Sequence, residues 1–215
     1  MRANRSDSRQ LAAARASPVT AQVHDLARAF AHDGAVEISR FFTETEFNQL
    51  QRHIDRKIAR QMFRSMQGDT QVRGAPCEYK DPEIEQLLRA KASFVSNLLE
   101  LDLVPAYSYL RLYRPGDRVA AHRDRPACEV TIATSLASNP HWPFHILLDG
   151  RITDYCPARR GAVAFKGHDL LHWRNALEGS KPMAHALFHY VQRHGGFRAW
   201  ANDPSATGYE TAGKE

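Results

Sequence analysis

Cysteine is scarce in this chain: three among 215 residues, Cys77, Cys128 and Cys156, at wide and unpatterned spacing. That excludes a disulfide framework and a cysteine-built zinc cluster, and free thiols suit a reducing compartment. Also missing is any apolar run near the roughly 20 residues that a membrane-spanning helix requires, and the first residues carry no apolar core of a secretory signal. The expectation is a cytoplasmic protein without a membrane partner. No Ser-His-Asp set and no paired carboxylates announce hydrolytic acid-base chemistry, and no internal repeat is visible. Basic residues exceed acidic ones only modestly, 29 to 24 for a net charge of +5, and Arg2, Arg5, Arg9 and Arg15 in a loose terminal segment supply much of that excess. Scattered charge of this kind is a weak electrostatic footprint, so nucleic acid is not an expected partner.

What is present is a core. With 43% hydrophobic residues over this length, one domain is expected. Residues 1–20, rich in Arg, Ser and Ala, read as a disordered tail, and residues 201–215, small and polar, read as a tail. Between them, residues 21–104 carry helical periodicity. Val23, Leu26, Ala27 and Phe30 are spaced as one helix face, and DGAVEISRFF follows as a Gly-broken turn with a short alternating run. Thr43 with Glu46 three residues on is a capping box, opening a helix whose apolar face is Phe47, Leu50, Ile54 and Ile58. Another helix starts near Pro82, with Ile84, Leu87, Leu88, Phe94, Val95 and Leu98 expected as its buried stripe.

After Pro105 the texture changes. AYSYLRLY, RVAAHRD, CEVTIATSLA, FHILLD, RITDY, AVAFKG, LLHWRNA and AHALFHYV are short β-rich runs separated by Pro, Gly, Asn and Asp. About eight strands at this spacing predict a sandwich or barrel of the jelly-roll type over residues 105–200. The expected fold class is therefore mainly β (α+β), with the N-terminal helices packed on one sheet.

Inside that β-rich half stands RPGDRVAAHRDRPACEVTI, Arg114 to Ile132, which places His122 and Asp124 at i and i+2. Strand residues at that spacing share a face, so the two side chains can grip one object. A third ligand is expected several strands downstream, where a jelly roll returns. His172, in GHDLLHWRNA, stands there. Two imidazoles and one carboxylate with open positions opposite form the facial triad of non-haem Fe(II) oxygenases. The competing reading is a surface hydrogen-bonded pair and an ordinary strand histidine. His168 rivals His172 for the third place, since HDLLH sets two histidines four apart, but the segment lacks the glutamate of His-Glu-x-x-His and follows a strand pattern. His141 and His145 flank Pro143 as ordinary polar residues, while His185 and His189 share a strand face.

These pieces together, YSYLRLYRPGDRVAAHRD, CEVTIATSLAS, GAVAFKGHDLLHWR and ALFHYV, resemble the Fe(II)/2-oxoglutarate-dependent dioxygenase superfamily, in particular its prolyl-hydroxylase-like branch. The likeness spans about residues 30 to 200. It implies a double-stranded β-helix, iron held by His122, Asp124 and His172, and 2-oxoglutarate as co-substrate, with ascorbate supportive. The implied reaction is hydroxylation of an unactivated C–H bond in a small molecule or an amino-acid or peptide substrate, releasing succinate and CO2. Tyr113 is expected near the co-substrate. Arg111, in a strand flanked by leucines, needs a solvent face or a partner, either the co-substrate or Glu129.

Two cations compete for the far carboxylate of 2-oxoglutarate. Lys181, nine residues past His172, lies where the resemblance places a basic residue. Arg174 shares the inward face of His172 in an extended run, and its guanidinium would grip a carboxylate with two parallel bonds, so Arg174 is favoured. Arg125, Trp142, Arg159 and Arg160 are candidate pocket-wall residues, with Arg159 and Arg160 reading first as a solvated turn. A zinc-dependent hydrolase with the same ligands and a non-catalytic jelly-roll binding module remain the alternatives.

Overall fold

The chain folds as thirteen regular elements in a computed structural model that describes residues 18–136 and 142–204, with side chains from residue 23 onward. The expected tail residues 1–17 and 205–215, and His141, lie outside the described residues. Helix α1 (Pro18–Asp33) begins just inside the segment read as tail, and strand β1 (Ala35–Ile38) follows the Gly34 turn. Helix α2 (Glu44–Arg60) starts at the expected capping box: Thr43 Oγ1 accepts from the Glu46 amide at 3.2 Å, and the Thr43 amide donates to Glu46 Oε2 at 2.8 Å. Strand β2 (Cys77–Tyr79) was not legible in the sequence, being only three residues long. Helix α3 (Pro82–Leu99) has Asp81 as its N-cap and Pro at its first turn.

The β-rich half supplies β3 (Leu103–Tyr113), β4 (Val119–His122), β5 (Val130–Ser135), β6 (Phe144–Leu148), β7 (Arg151–Tyr155), β8 (Ala162–Phe165), β9 (His172–Arg174) and β10 (Met183–Gln192). All eight expected strands are found. They form a six-stranded sheet in the order β1-β8-β5-β10-β3-β2 and a four-stranded sheet in the order β4-β9-β6-β7, with antiparallel pairing throughout. This is the jelly roll.

Period-two alternation divides the work of the larger sheet. Leu110 and Leu112 of β3, Ile132 of β5, Ala164 of β8 and Ala186, Phe188 and Tyr190 of β10 join one buried cluster with Phe30 of α1, Leu50 and Ile54 of α2, and Ile84, Leu88 and Val95 of α3. The helices thus pack on one sheet, as expected. A fully buried Phe188, Ile132 or Leu110 contributes about 1.5–3 kcal/mol through removal of apolar surface from water. The alternate residues, Tyr109, Arg111 and Tyr113 of β3, Thr131 and Ala133 of β5, Val163 and Phe165 of β8, and His185, Leu187 and His189 of β10, face the smaller sheet. The polar candidates of the large sheet thus lie on the face toward the smaller sheet, beside a second apolar cluster of Ala133, Phe144, Ile146, Val163 and Phe165.

Three expectations need correction. Phe94 is 39% exposed: it sits at the margin of the α3 stripe, where Lys91 covers its ring at 5.1 Å. Strand β3 starts at Leu103, before Pro105, because the pairing with β10 shifts register between His189 and Tyr190. A bulge tolerates a residue that cannot donate, and the Pro105 carbonyl accepts the Asn202 amide at 2.8 Å. Strand β4 ends at His122, so Asp124 lies past it.

Candidate metal centre

Strands β4 and β9 pair with His122 opposite His172 and Val119 opposite Arg174, with one extra residue on β4. That bulge re-aims the end of β4 toward the barrel interior. The His122 and His172 rings stand 4.3 Å apart between centroids. Asp124 reaches them from the loop: its amide donates to the Gly167 carbonyl at 2.9 Å, which substitutes for the strand pairing expected there. Asp124 Oδ1 then lies 3.3 Å from His122 Nε2 and 3.6 Å from His172 Nε2. The three donor atoms fall within 4.8 Å of one another.

The residues fit a metal ion in two further respects. His122 Nδ1 is 2.9 Å from the Ala120 carbonyl and His172 Nδ1 is 2.8 Å from the Leu170 carbonyl. A carbonyl accepts only from N–H, so each neutral ring keeps its proton on Nδ1 and leaves the Nε2 lone pair for a metal, the outer-sphere support that orients ligating imidazoles. Gly167 supplies the second: a Cβ there would sit 2.6 Å from Asp124 Oδ2 and 2.8 Å from both the Cys128 carbonyl and Thr131 Oγ1. Only glycine leaves room for this carboxylate. Burial pushes the Asp124 carboxyl up, but the His122 and His172 rings, when protonated on Nε2, outweigh it by hydrogen bond and charge and hold the group well below the usual carboxylate range. Asp124 is an anion.

His168 is placed elsewhere. Its Nδ1 lies 3.1 Å from the Asp124 backbone carbonyl and its ring packs edge-on to Phe197. A second group of potential ligands, Asp124, Cys128 and His189, lies beside the first. There His189 Nδ1 is already engaged by Thr131 Oγ1 at 2.9 Å, and the Cys128 sulfur is 3.1 Å from the Tyr107 hydroxyl. Burial pushes the Cys128 thiol well up, which disfavours the thiolate a metal needs.

The cavity above the three donors is lined by Tyr113, Phe144, Phe165, Arg174, His185 and Leu187, among others. Arg174 projects into it from β9, two residues past His172. Its guanidinium donates to the Trp142 carbonyl and lies over the Trp142 and Phe144 rings, at 4.8 and 5.0 Å from their centroids. No carboxylate among the described residues pairs with it. Burial brings its pKa down to about 10, so it stays charged at neutral pH. Lys181 lies on the exposed turn before β10 and does not line the cavity. Tyr113 does, with its hydroxyl 3.3 Å from Arg111 Nη1.

Arg111 is buried, and of the candidates named from the sequence Glu129 is not its partner. Glu129 is taken by the Gln192 amide at 2.8 Å and the Gln192 side chain at 2.7 Å. Arg111 pairs instead with Asp69, and it donates to Gln71 Oε1 at 2.7 Å. Gln71 in turn places its amide nitrogen 2.5 Å from His122 Nε2. Residues 61–76 thus fold over the donors, although Asp69 and Gln71 gave no signal in the sequence. Of the other wall candidates, Arg125 packs on the Tyr107 ring and pairs with Asp203, and Arg159 is an exposed ion pair with Glu44. His145 pairs with Asp154 on the outer side.

No family model matches the chain, and no curated protein matches it. Solved structures do. A prolyl-4-hydroxylase from Pseudomonas putida aligns over 80% of this chain and 100% of its own at 19% identity, with a TM-score of 0.64. The non-heme alpha ketoglutarate dependent epimerase SnoN from nogalamycin biosynthesis aligns over 80% and 83% at 13% identity, TM-score 0.68. EctD from S. alaskensis aligns over 77% and 75% at 17% identity, TM-score 0.62. The chain has the fold of these enzymes. No helix among the described residues is long and apolar enough to cross a membrane.

Proposed function

We propose that this chain is a non-haem Fe(II)- and 2-oxoglutarate-dependent oxygenase that hydroxylates an unactivated C–H bond of a small molecule or an amino-acid or peptide substrate. The observation that carries the reading is the convergence of His122 Nε2, His172 Nε2 and Asp124 Oδ1 in a jelly roll, with both Nδ1 atoms tied to backbone carbonyls. Two neutral imidazoles and one carboxylate hold a divalent ion and leave its remaining positions free for other ligands. The bound iron and co-substrate supply the oxidising chemistry, in which O2 and 2-oxoglutarate give succinate, CO2 and a hydroxylated product.

The chain's own part is binding, orientation and exclusion of water. Arg174 offers an unpaired buried guanidinium to the far carboxylate of 2-oxoglutarate, and Tyr113 adds a hydroxyl beside it. Phe144, Phe165 and Leu187 wall the cavity with apolar surface, which strengthens that ion pair and keeps bulk water from the reacting centre. Transfer of a proton by the protein is not required.

Succinate formation by purified protein with Fe(II), ascorbate, O2 and 2-oxoglutarate tests this, since some turnover is expected even without the primary substrate. Replacing His122, Asp124 or His172 by Ala should abolish succinate and metal binding while leaving the fold intact, and His168→Ala should retain both. Arg174→Met should weaken the apparent affinity for 2-oxoglutarate about a hundredfold, as loss of a charge-assisted pair implies, whereas Lys181→Met should be near normal. Zinc-dependent hydrolysis at the same ligands would show as metal binding without any succinate.

A further inference from the structure

We propose that His185 is a second binding residue for the far carboxylate of the dicarboxylate co-substrate, and that its Nε2 takes up a proton as that carboxylate enters. This rests on the reading above and deepens it. His185 stands on the inward face of β10, 3% exposed, paired in register with Arg111 of β3 and Ser135 of β5. Its ring meets Tyr113 edge-on at 5.4 Å and Trp142 at 5.6 Å, and it lines the same cavity as Arg174 and the three metal-donor residues.

The two ring nitrogens differ. A hydrogen bond with the Thr134 backbone engages the ring, and since a carbonyl can only accept, that nitrogen carries the proton. Nε2 is buried without any hydrogen-bond partner. A buried polar atom left unpaired costs free energy and calls for a ligand or a function. Arg174, on the facing strand, is likewise a buried charge without an anion. The two incomplete groups face one cavity.

The groups around His185 define its protonation. From β9 comes Arg174; from β3 come Arg111, whose charge is shared with Asp69, and Tyr113; from β5 come the uncharged Thr134 and Ser135; and His122, Asp124 and His172 lie across the cavity. Burial, then the charges of Arg174 and Arg111, drive the His185 pKa well down, so the free protein holds it neutral with a lone pair on Nε2. A carboxylate oxygen facing that lone pair would be repelled. The entering carboxylate instead neutralises Arg174 and gives a proton on Nε2 an acceptor, so the neutral ring of the free protein becomes an imidazolium in the complex.

The probe is 2-oxoglutarate added without O2 to protein preloaded with Mn(II), by calorimetry near pH 7 in buffers of different ionisation heat. Wild type should take up about one proton per 2-oxoglutarate bound, and its affinity should fall about tenfold per pH unit as pH rises from the free toward the bound His185 value. His185→Gln, which keeps a donor but does not titrate, should bind Mn(II) normally and take up no proton. Binding of 2-oxoglutarate by wild type without proton uptake, or uptake that persists in His185→Gln, overturns this inference and leaves the proposed function standing. Mn(II) bound with no 2-oxoglutarate binding overturns both. If His185→Gln fails to fold, His185→Asn serves as the non-titrating variant, and absence of uptake in wild type overturns the inference without either.

Discussion

The lone pair that His122 would offer to a metal is already in use. With Nδ1 on the Ala120 carbonyl, Nε2 can only accept, and the Gln71 amide occupies it at 2.5 Å while Arg111 holds the other end of the same side chain. Any ion entering the site must displace that hydrogen bond. Gln71→Ala removes the competitor, and a net hydrogen bond of about 0.5–1.5 kcal/mol corresponds to roughly a threefold to tenfold gain in Mn(II) or Fe(II) affinity. Direct metal titration checks this, and an unchanged or weaker affinity would mean that Gln71 helps hold the ion. Neither Gln71 nor Asp69 was legible in the sequence. Residues 61–76 have no apolar period, and their partners lie on strands 40 and 51 positions away. The His-x-Asp pair was legible because its two members are local and its flanks are patterned.

Among the elements, the join between α2 and α3 concentrates buried charge. Asp81 caps α3 through the Glu83 and Ile84 amides and also accepts from His53 at 2.9 Å and Lys57 at 2.7 Å on α2. Burial pushes its carboxyl up, but the His53 and Lys57 hydrogen bonds outweigh that and hold it well below the usual carboxylate range. A carboxyl depressed on folding contributes stability that is present above its unfolded pKa, about 3.9, and lost as pH falls below it. Asp81→Ala should therefore cost about 2–4 kcal/mol at neutral pH, from the lost cap and the partly uncompensated Lys57. Urea unfolding of both proteins at pH 7 and near pH 3 checks it: the difference should shrink in acid, and a pH-independent difference would exclude the ionic part. The capping box and the apolar stripe made α2 and α3 readable, whereas the three-residue β2 that bridges them carries too little pattern to see.

At the scale of the whole molecule, the strand count and turn residues were enough to read a jelly roll, because alternation survives in each strand even where lengths are short. Strand alternation from His172 favours Arg174 over Lys181 as the cation that enters the cavity, and the structure places Arg174 there. Arg174 and Lys181 lie 7 positions apart and both stand near the end of a strand. Arg174 stands two residues past His172 on β9 and lines the same cavity, and the turn before β10 leaves Lys181 in solvent. Likewise, His122, His168 and His172 differ chiefly in which backbone carbonyl each one meets and where that leaves Nε2, properties of pairing rather than of composition.

The central claim is that His122, Asp124 and His172 hold Fe(II) in a form that 2-oxoglutarate can chelate. The most direct measurement is anaerobic visible absorption as Fe(II) and then 2-oxoglutarate are added to the protein. A weak charge-transfer band that requires both additions, and that is absent in Asp124→Ala, is the predicted result. Fe(II) binding with no band on saturation with 2-oxoglutarate would contradict the account.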